Sequence, residues 1–227
     1  MPVSYLLNIE TATKNCSVSL SKSGQLLALK EVNTGEFSHA EQLHVFLAEI
    51  LQESQLTFKD LSAVAVGKGP GSYTGLRIGV SAAKGLCYAL EIPMIALETL
   101  TILAHAISIS EGVLVPMLDA RRSEVYSAVF DPSYQQIRTT KAQIIDAQSF
   151  GEALDKGPVY FLGDGAEKCK EIIRHPNAIF RDDFFPSARE MSALAYEKYM
   201  RQEFEDVAYF EPFYLKDFVG TKSKKRS

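Results

Sequence analysis

The chain has 227 residues, enough for one large domain or two small ones with cores of their own. Its 46% hydrophobic and 23% charged residues are the balance of a folded globular protein. No charge-free apolar run reaches the roughly 18 residues that a membrane helix needs, and 24 basic against 28 acidic side chains leave no basic surplus to hold nucleic acid unaided.

The opening "MPVSYLLNIETATKNC" lacks a basic leader and a small-residue cleavage site, and Cys16, Cys87 and Cys169 stand far apart without a CxxC pair. A cytoplasmic protein with buried thiols is the expectation. Three apolar-alternating runs, "SYLLNIE", "CSVSLS" and "QLLALKEV", predict strands split by short polar turns, the second holding Gly24. A helix follows from about Ala40 to Glu53. Ser38 with Glu41 reads as its capping box, and Leu43, Phe46, Leu47, Ile50 and Leu51 form one apolar stripe. The strand "LSAVAVG", a glycine-rich loop, a second helix, the strand "PMIALE" and a short helix around Leu100–Ile107 complete this half.

The second half repeats the theme from about Gly112. "VLVPMLDA", "EVYSAVFD" and "YQQIRTT" predict strands, "PVYFLGDG" a buried strand ending in a turn, "AEKCKEIIR" a helix, and "SARE" through "YEKYMRQEF" a long last helix. Both halves read β-β-β-α-β-α, an α/β duplication with a mixed sheet and covering helices in each of two lobes, 1–110 and 111–227. No Pro- or Ser-rich linker separates them, so close packing is expected. The only basic run, "KSKKRS" from Lys222, reads as a solvated terminus.

The stretch "GKGPGSYTGLRIGVSAAKGL" (Gly67 to Leu86) raises the question of function. A phosphate-cradling GxxxxGK[ST] is absent because Leu76-Arg77 follows Gly75; GxGxxG fails at Pro70; and GxSxG fails because Pro70 takes the place of the first glycine before Ser72. His39 and His44 are five apart and face different ways on a helix, while His105 and His175 stand alone, so no histidine metal pair is predicted. The helix after the loop carries Gly75, Gly79 and Ala83 at four-residue spacing, with Leu76, Val80, Cys87 and Leu90 on another face. Glycine inside a helix costs about 1 kcal/mol relative to alanine, so Gly79 and Gly85 imply close approach by a neighbour. The apolar girth exceeds one face, and a partner helix is expected on the small-residue ridge.

These residues resemble the signature of the TsaB (YeaZ) family, required for threonylcarbamoyladenosine modification of tRNA. "LLNIETATKNCSVSL" resembles the family's opening, "FSHAEQLHVFLAEIL" its first helix, and "YLKD" its late "YLR" segment. The resemblance implies an actin-like (ASKHA) duplicated fold. It also implies pairing with a TsaD-type catalytic paralogue through the first two helices, with a TsaE-type ATPase joining the pair. TsaD-type proteins transfer threonylcarbamoyl to the adenosine beside the anticodon of tRNAs that read codons starting with A. On that basis Ala40, His44 and Leu47 of the first helix and Gly75, Arg77, Ile78, Gly79, Ala82, Ala83 and Leu86 of the second are the expected partner-binding residues, presented by the loop of Gly69, Pro70, Gly71, Ser72 and Thr74. The same helices could serve a homodimer when the paralogue is absent, and tRNA would be met only through the complex.

TsaD-type proteins carry an HxxxH metal pair where "LETLTILAHAI" here has only His105, and Glu10 stands where the family has Asp. A longer carboxylate would not hold Mg²⁺ in the same geometry. The implied role is a non-catalytic subunit without metal or cofactor. A small-molecule kinase or ATPase of the same superfamily is the competing reading, with Asp119 its main support. A peptidase lacks HExxH, a serine elbow and a cysteine–histidine pair.

Overall fold

The computed structural model describes residues 3–33 and 39–216. Ser38, and with it the expected cap of the first helix, lies outside them, as does the basic tail. The first half runs β1 (Tyr5–Glu10), β2 (Cys16–Lys22), β3 (Gln25–Val32), α1 (His39–Glu53), β4 (Leu61–Gly69), α2 (Tyr73–Leu90), β5 (Met94–Glu98) and α3 (Thr99–Ala104). The second runs β6 (Val113–Asp119), β7 (Glu124–Phe130), β8 (Gln136–Ile144), α4 (Gly151–Leu154), β9 (Val159–Leu162), β10 (Ala178–Arg181) and α5 (Ala188–Met200).

Each half forms one five-stranded mixed sheet. The orders are β3-β2-β1-β4-β5 and, read from the other edge, β8-β7-β6-β9-β10, so the two sheets share one topology. In each, an antiparallel three-strand meander is extended by two parallel strands. This is the duplicated actin-like arrangement.

Alternation along β1 sorts side chains to the two faces of the first sheet. Leu7 and Ile9 pack with Leu43, Leu47 and Ile50 of α1 and Val80, Ala83 and Cys87 of α2. Leu6 points the other way, into a core with Ala63, Ala65 and Ile95 that is covered by Ile102 of α3 and by Ala188, Met191 and Ala195 of α5. Burying each large aliphatic of this kind contributes about 1.5–3 kcal/mol. The last helix of the second half therefore covers the first sheet. Polar stitches fix it there: Ser17 Oγ accepts from Ala188 N (2.9 Å), Ser19 Oγ donates to Ala188 O (2.6 Å), and Asn8 Nδ2 donates to Ser19 Oγ (2.9 Å). In return α3 sends Leu100, Leu103 and Ala104 against Leu114, Leu118 and Tyr126 of the second sheet.

Two expectations change in the second half. The segment "AEKCKEIIR" forms only a 3-10 turn, Glu167–Cys169, before irregular turns. Pro176 bars helical backbone at His175, and the remaining stretch is too short to repay helix nucleation. The strand β10, which completes the duplication, was not foreseen. Its four residues "AIFR" are half-buried or exposed without clean alternation, so the sequence carries no period-2 signal for it.

Candidate functional site

The glycine loop connects β4 to α2. Gly69 and Pro70 are buried, Gly71 and Ser72 half-buried, and Thr74 exposed. Ser72 caps α2, its Oγ accepting from Gly75 N at 3.3 Å, while its own N–H donates to Ala12 O at 2.7 Å. The loop lies flush on the β1–β2 turn. A Cβ at Gly71 would meet the backbone and side chain of Ala12, and one at Gly67 would overlap the Glu10 carboxyl. The bare backbone is thus consumed by contacts inside the chain.

Glu10 itself is fully buried. Its Oε1 accepts from Ala12 N at 2.6 Å, and Oε2 has no hydrogen-bond partner. Burial raises its pKa to about 7, against the smaller opposing pull of the Ala12 and Thr11 amides. A carboxyl sealed beneath Gly67 and half-satisfied is poorly placed to meet a solvated cation. Asp119 is also engaged: its Oδ1 accepts from Arg121 N (2.9 Å) and pairs with Lys168, and its N–H donates to Asp164 Oδ1 (3.0 Å). His105 directs Nδ1 at Thr101 O (2.9 Å) and stacks on Tyr134 at 4.1 Å. Among the described residues no three His, Cys, Asp or Glu side chains gather as a group that could hold a metal.

The expected partner residues divide into two sets. Gly75, Gly79 and Ala83 are buried, together with Leu76, Val80 and Cys87. Gly79 lies against Thr11, where a Cβ would overlap the hydroxyl, and that hydroxyl donates to Gly75 O at 2.8 Å. The ridge expected to receive a partner helix is therefore packed on the chain's own β1–β2 turn. Its small residues let α2 lie close to the sheet, and this corrects the placement of those three residues on a partner surface. Leu47 is also nearly buried, at 4% exposure.

The other set faces out. Ala40, His44 and Arg77 are exposed, and Ile78, Ala82 and Leu86 are half-buried on the outer side of α2. His44, Leu47, Phe58, Ser81, Ala82, Gly85 and Leu86 line a shallow, mostly apolar groove between α1 and α2, with Leu47 at its floor. Val45 and Tyr88 add exposed apolar surface on these helices, Tyr88 at 83% exposure. Gly85 is the telling member: it is exposed in mid-helix, and a Cβ there would meet none of the described residues within 4 Å. Unlike at Gly79, nothing among the described residues requires glycine there. Sequence reasoning omitted Ser81, Gly85 and Phe58 from the site. The signal for the first two was present, since Ser81, Ala82 and Gly85 continue at helical spacing from Ile78.

Among the described residues no helix is long and apolar enough to cross a membrane. The family model for TsaD, tRNA N6-adenosine threonylcarbamoyltransferase, matches residues 35–222. The tRNA threonylcarbamoyladenosine biosynthesis protein TsaB of Escherichia coli (strain K12) is 30% identical over 226 residues, spanning 96% of each chain. Its counterpart in Haemophilus influenzae is 28% identical over 96% of this chain and 95% of its own. Among solved structures, YeaZ from Pseudomonas aeruginosa superposes with a TM-score of 0.78 at 25% identity, covering 93% of this chain and all of that one. A P. aeruginosa protein described as similar to peptidase YeaZ reaches 0.83, also at 25% identity, over 94% of this chain and 100% of its own. With a duplicated actin-like fold and relatives aligned over nearly the whole chain, this protein belongs to the TsaB family and has a role in tRNA threonylcarbamoyladenosine biosynthesis.

Proposed function

We propose that the chain is a non-catalytic subunit that docks a TsaD-type catalytic paralogue through the outer face of α1 and α2. The observation that carries this reading is the groove at Gly85, an exposed mid-helix glycine beside apolar side chains with none of the described residues over it. A glycine kept at a helix position costing about 1 kcal/mol is accounted for when another backbone must come close. Ala40, His44, Arg77, Ile78, Ala82 and Leu86 would border that contact, and the buried ridge behind them would hold α2 rigid. In this reading threonylcarbamoyl transfer to the adenosine beside the anticodon is carried out by the paralogue. A TsaE-type ATPase joins the pair, tRNA is engaged through the assembly, and the protein works in the cytoplasm. In isolation the same face would serve a second copy of the chain.

The buried, half-satisfied Glu10 and the packing of the Gly71 backbone against Ala12 in the β1–β2 turn favour this role over a kinase or ATPase. The experiment is gel filtration of the chain mixed with the TsaD-type protein of the same organism, with ATP turnover followed on the separated components. Co-elution, with no turnover by this chain alone, is the expected result. Separate elution, or turnover by the isolated chain, would overturn the reading.

A further inference from the structure

The segment after α5 returns across the first lobe, and its last described residues reach the second. Glu205 N donates to Met94 O at 2.9 Å, and Lys84 Nζ donates to Ala208 O and Phe210 O at 3.2 and 3.0 Å. Phe213 N then donates to Lys68 O at 2.7 Å, and the Phe213 carbonyl sits so near Gly69 that a Cβ there would be 2.7 Å away. Gly69 has φ +114°, a conformation side chains rarely adopt, so this approach depends on glycine.

The next three residues divide between the lobes. Tyr214 faces the first: its hydroxyl accepts from Arg77 Nε at 3.2 Å, and its ring lies 4.8 Å from that of Tyr73, over which the Arg77 guanidinium sits at 4.2 Å. Leu215 packs against the cluster in which Leu114, Leu118 and Tyr126 of the second sheet meet Leu100 and Leu103 of α3. Lys216 pairs with Glu124 at the start of β7, with Nζ 6.0 Å from the Tyr126 ring. Adjacent residues of one short stretch thus hold the first turn of α2 and the first residues of β7.

We propose that Phe213 to Lys216 form an interlobe clasp that couples the N-terminal turn of α2, with Arg77, to β7 of the second lobe. Any event that frees the second-lobe anchor then loosens the seat of Arg77 at one end of the outer helix face. The clasp is a property of the isolated chain, so its test is independent of the docking reading.

The test is native-state amide hydrogen exchange on the full chain, with each anchor altered and the opposite lobe read. Lys216→Ala removes the ion pair to Glu124 and the charge over the Tyr126 ring, and Leu215→Ala removes the apolar anchor. Both should speed exchange at Leu76 and Arg77 several-fold while leaving the central β1 amides unchanged. Tyr214→Phe, which deletes only the hydroxyl, should speed exchange at Val125 and Tyr126. Changes confined to the lobe of the altered anchor would overturn the proposal. So would a uniform rise that includes β1, because the residues would then be ordinary parts of the core. If Leu215→Ala fails to fold, the Lys216→Ala and Tyr214→Phe pair decides.

Discussion

The Thr11 hydroxyl occupies the space that a side chain at Gly79 would need, and it uses that position to donate to Gly75 O at 2.8 Å. Gly79→Ala sets a gain in helix propensity of about 1 kcal/mol against overpacking, which typically costs about 1–3 kcal/mol. The close approach to Thr11 makes overpacking win, and the melting temperature should fall. In a Thr11→Ala background the same change should cost less, because the two sites share one contact. A Gly79→Ala protein as stable as wild type in urea would contradict the packing described.

Glu10 gives a pH signature. Its folded-state pKa is raised by burial to about 7, from an ordinary value of 4.5. The folded chain therefore binds this proton more tightly than the unfolded chain. The contribution to stability is full below pH 4.5, is lost as pH rises toward 7, and stays lost above it. The shift corresponds to about 3 kcal/mol. Glu10→Gln keeps the shape and removes the charge, so the variant should gain stability relative to wild type as pH rises from 5 to 8. Glu190, raised to about 7 chiefly by burial, supplies a residual slope of the same sign in both proteins. Parallel denaturation curves for the two proteins across that range would refute a buried Glu10.

The thiols should be inert. Cys16, Cys87 and Cys169 are at most 2% exposed, and burial first of all pushes each up to about 11. Reactivity follows the thiolate, so at pH 8 the native chain should label slowly at all three and quickly only once unfolded. Rapid stoichiometric labelling of the native chain would be at odds with these positions.

The strand meanders, both long helices of the first half and the duplication were legible because apolar period and turn residues agreed locally. "SYLLNIE" alternates, and Leu43, Leu47 and Ile50 fall on one helical stripe. The strand β10 was not legible, since a four-residue edge strand of mixed burial owes its existence to pairing with β9. The motif around Gly79 was legible as a demand for close approach, but not as to whose backbone approaches. That depends on the rotation of α2 over the β1–β2 turn, which places Gly75, Gly79 and Ala83 inward, Ile78 and Ala82 at the edge of the core and Gly85 outward. Nor could the sequence tell that Arg77 is held by Tyr214, a residue far along the chain.

The central claim, that the outer face of α1 and α2 docks the catalytic paralogue, is tested most directly at Gly85. Arginine is a better helix former than glycine and finds open space there, so Gly85→Arg should fold with an unchanged or slightly raised melting temperature. Placed in the groove beside His44, Ala82 and Leu86, its charge would be buried unpaired on docking, at a cost of roughly 3–5 kcal/mol, a loss of more than a hundredfold in affinity. The measurement is co-elution of folded Gly85→Arg with the TsaD-type protein, beside wild type. The account predicts that wild type co-elutes and the variant does not. A folded Gly85→Arg that co-elutes as wild type does would contradict it.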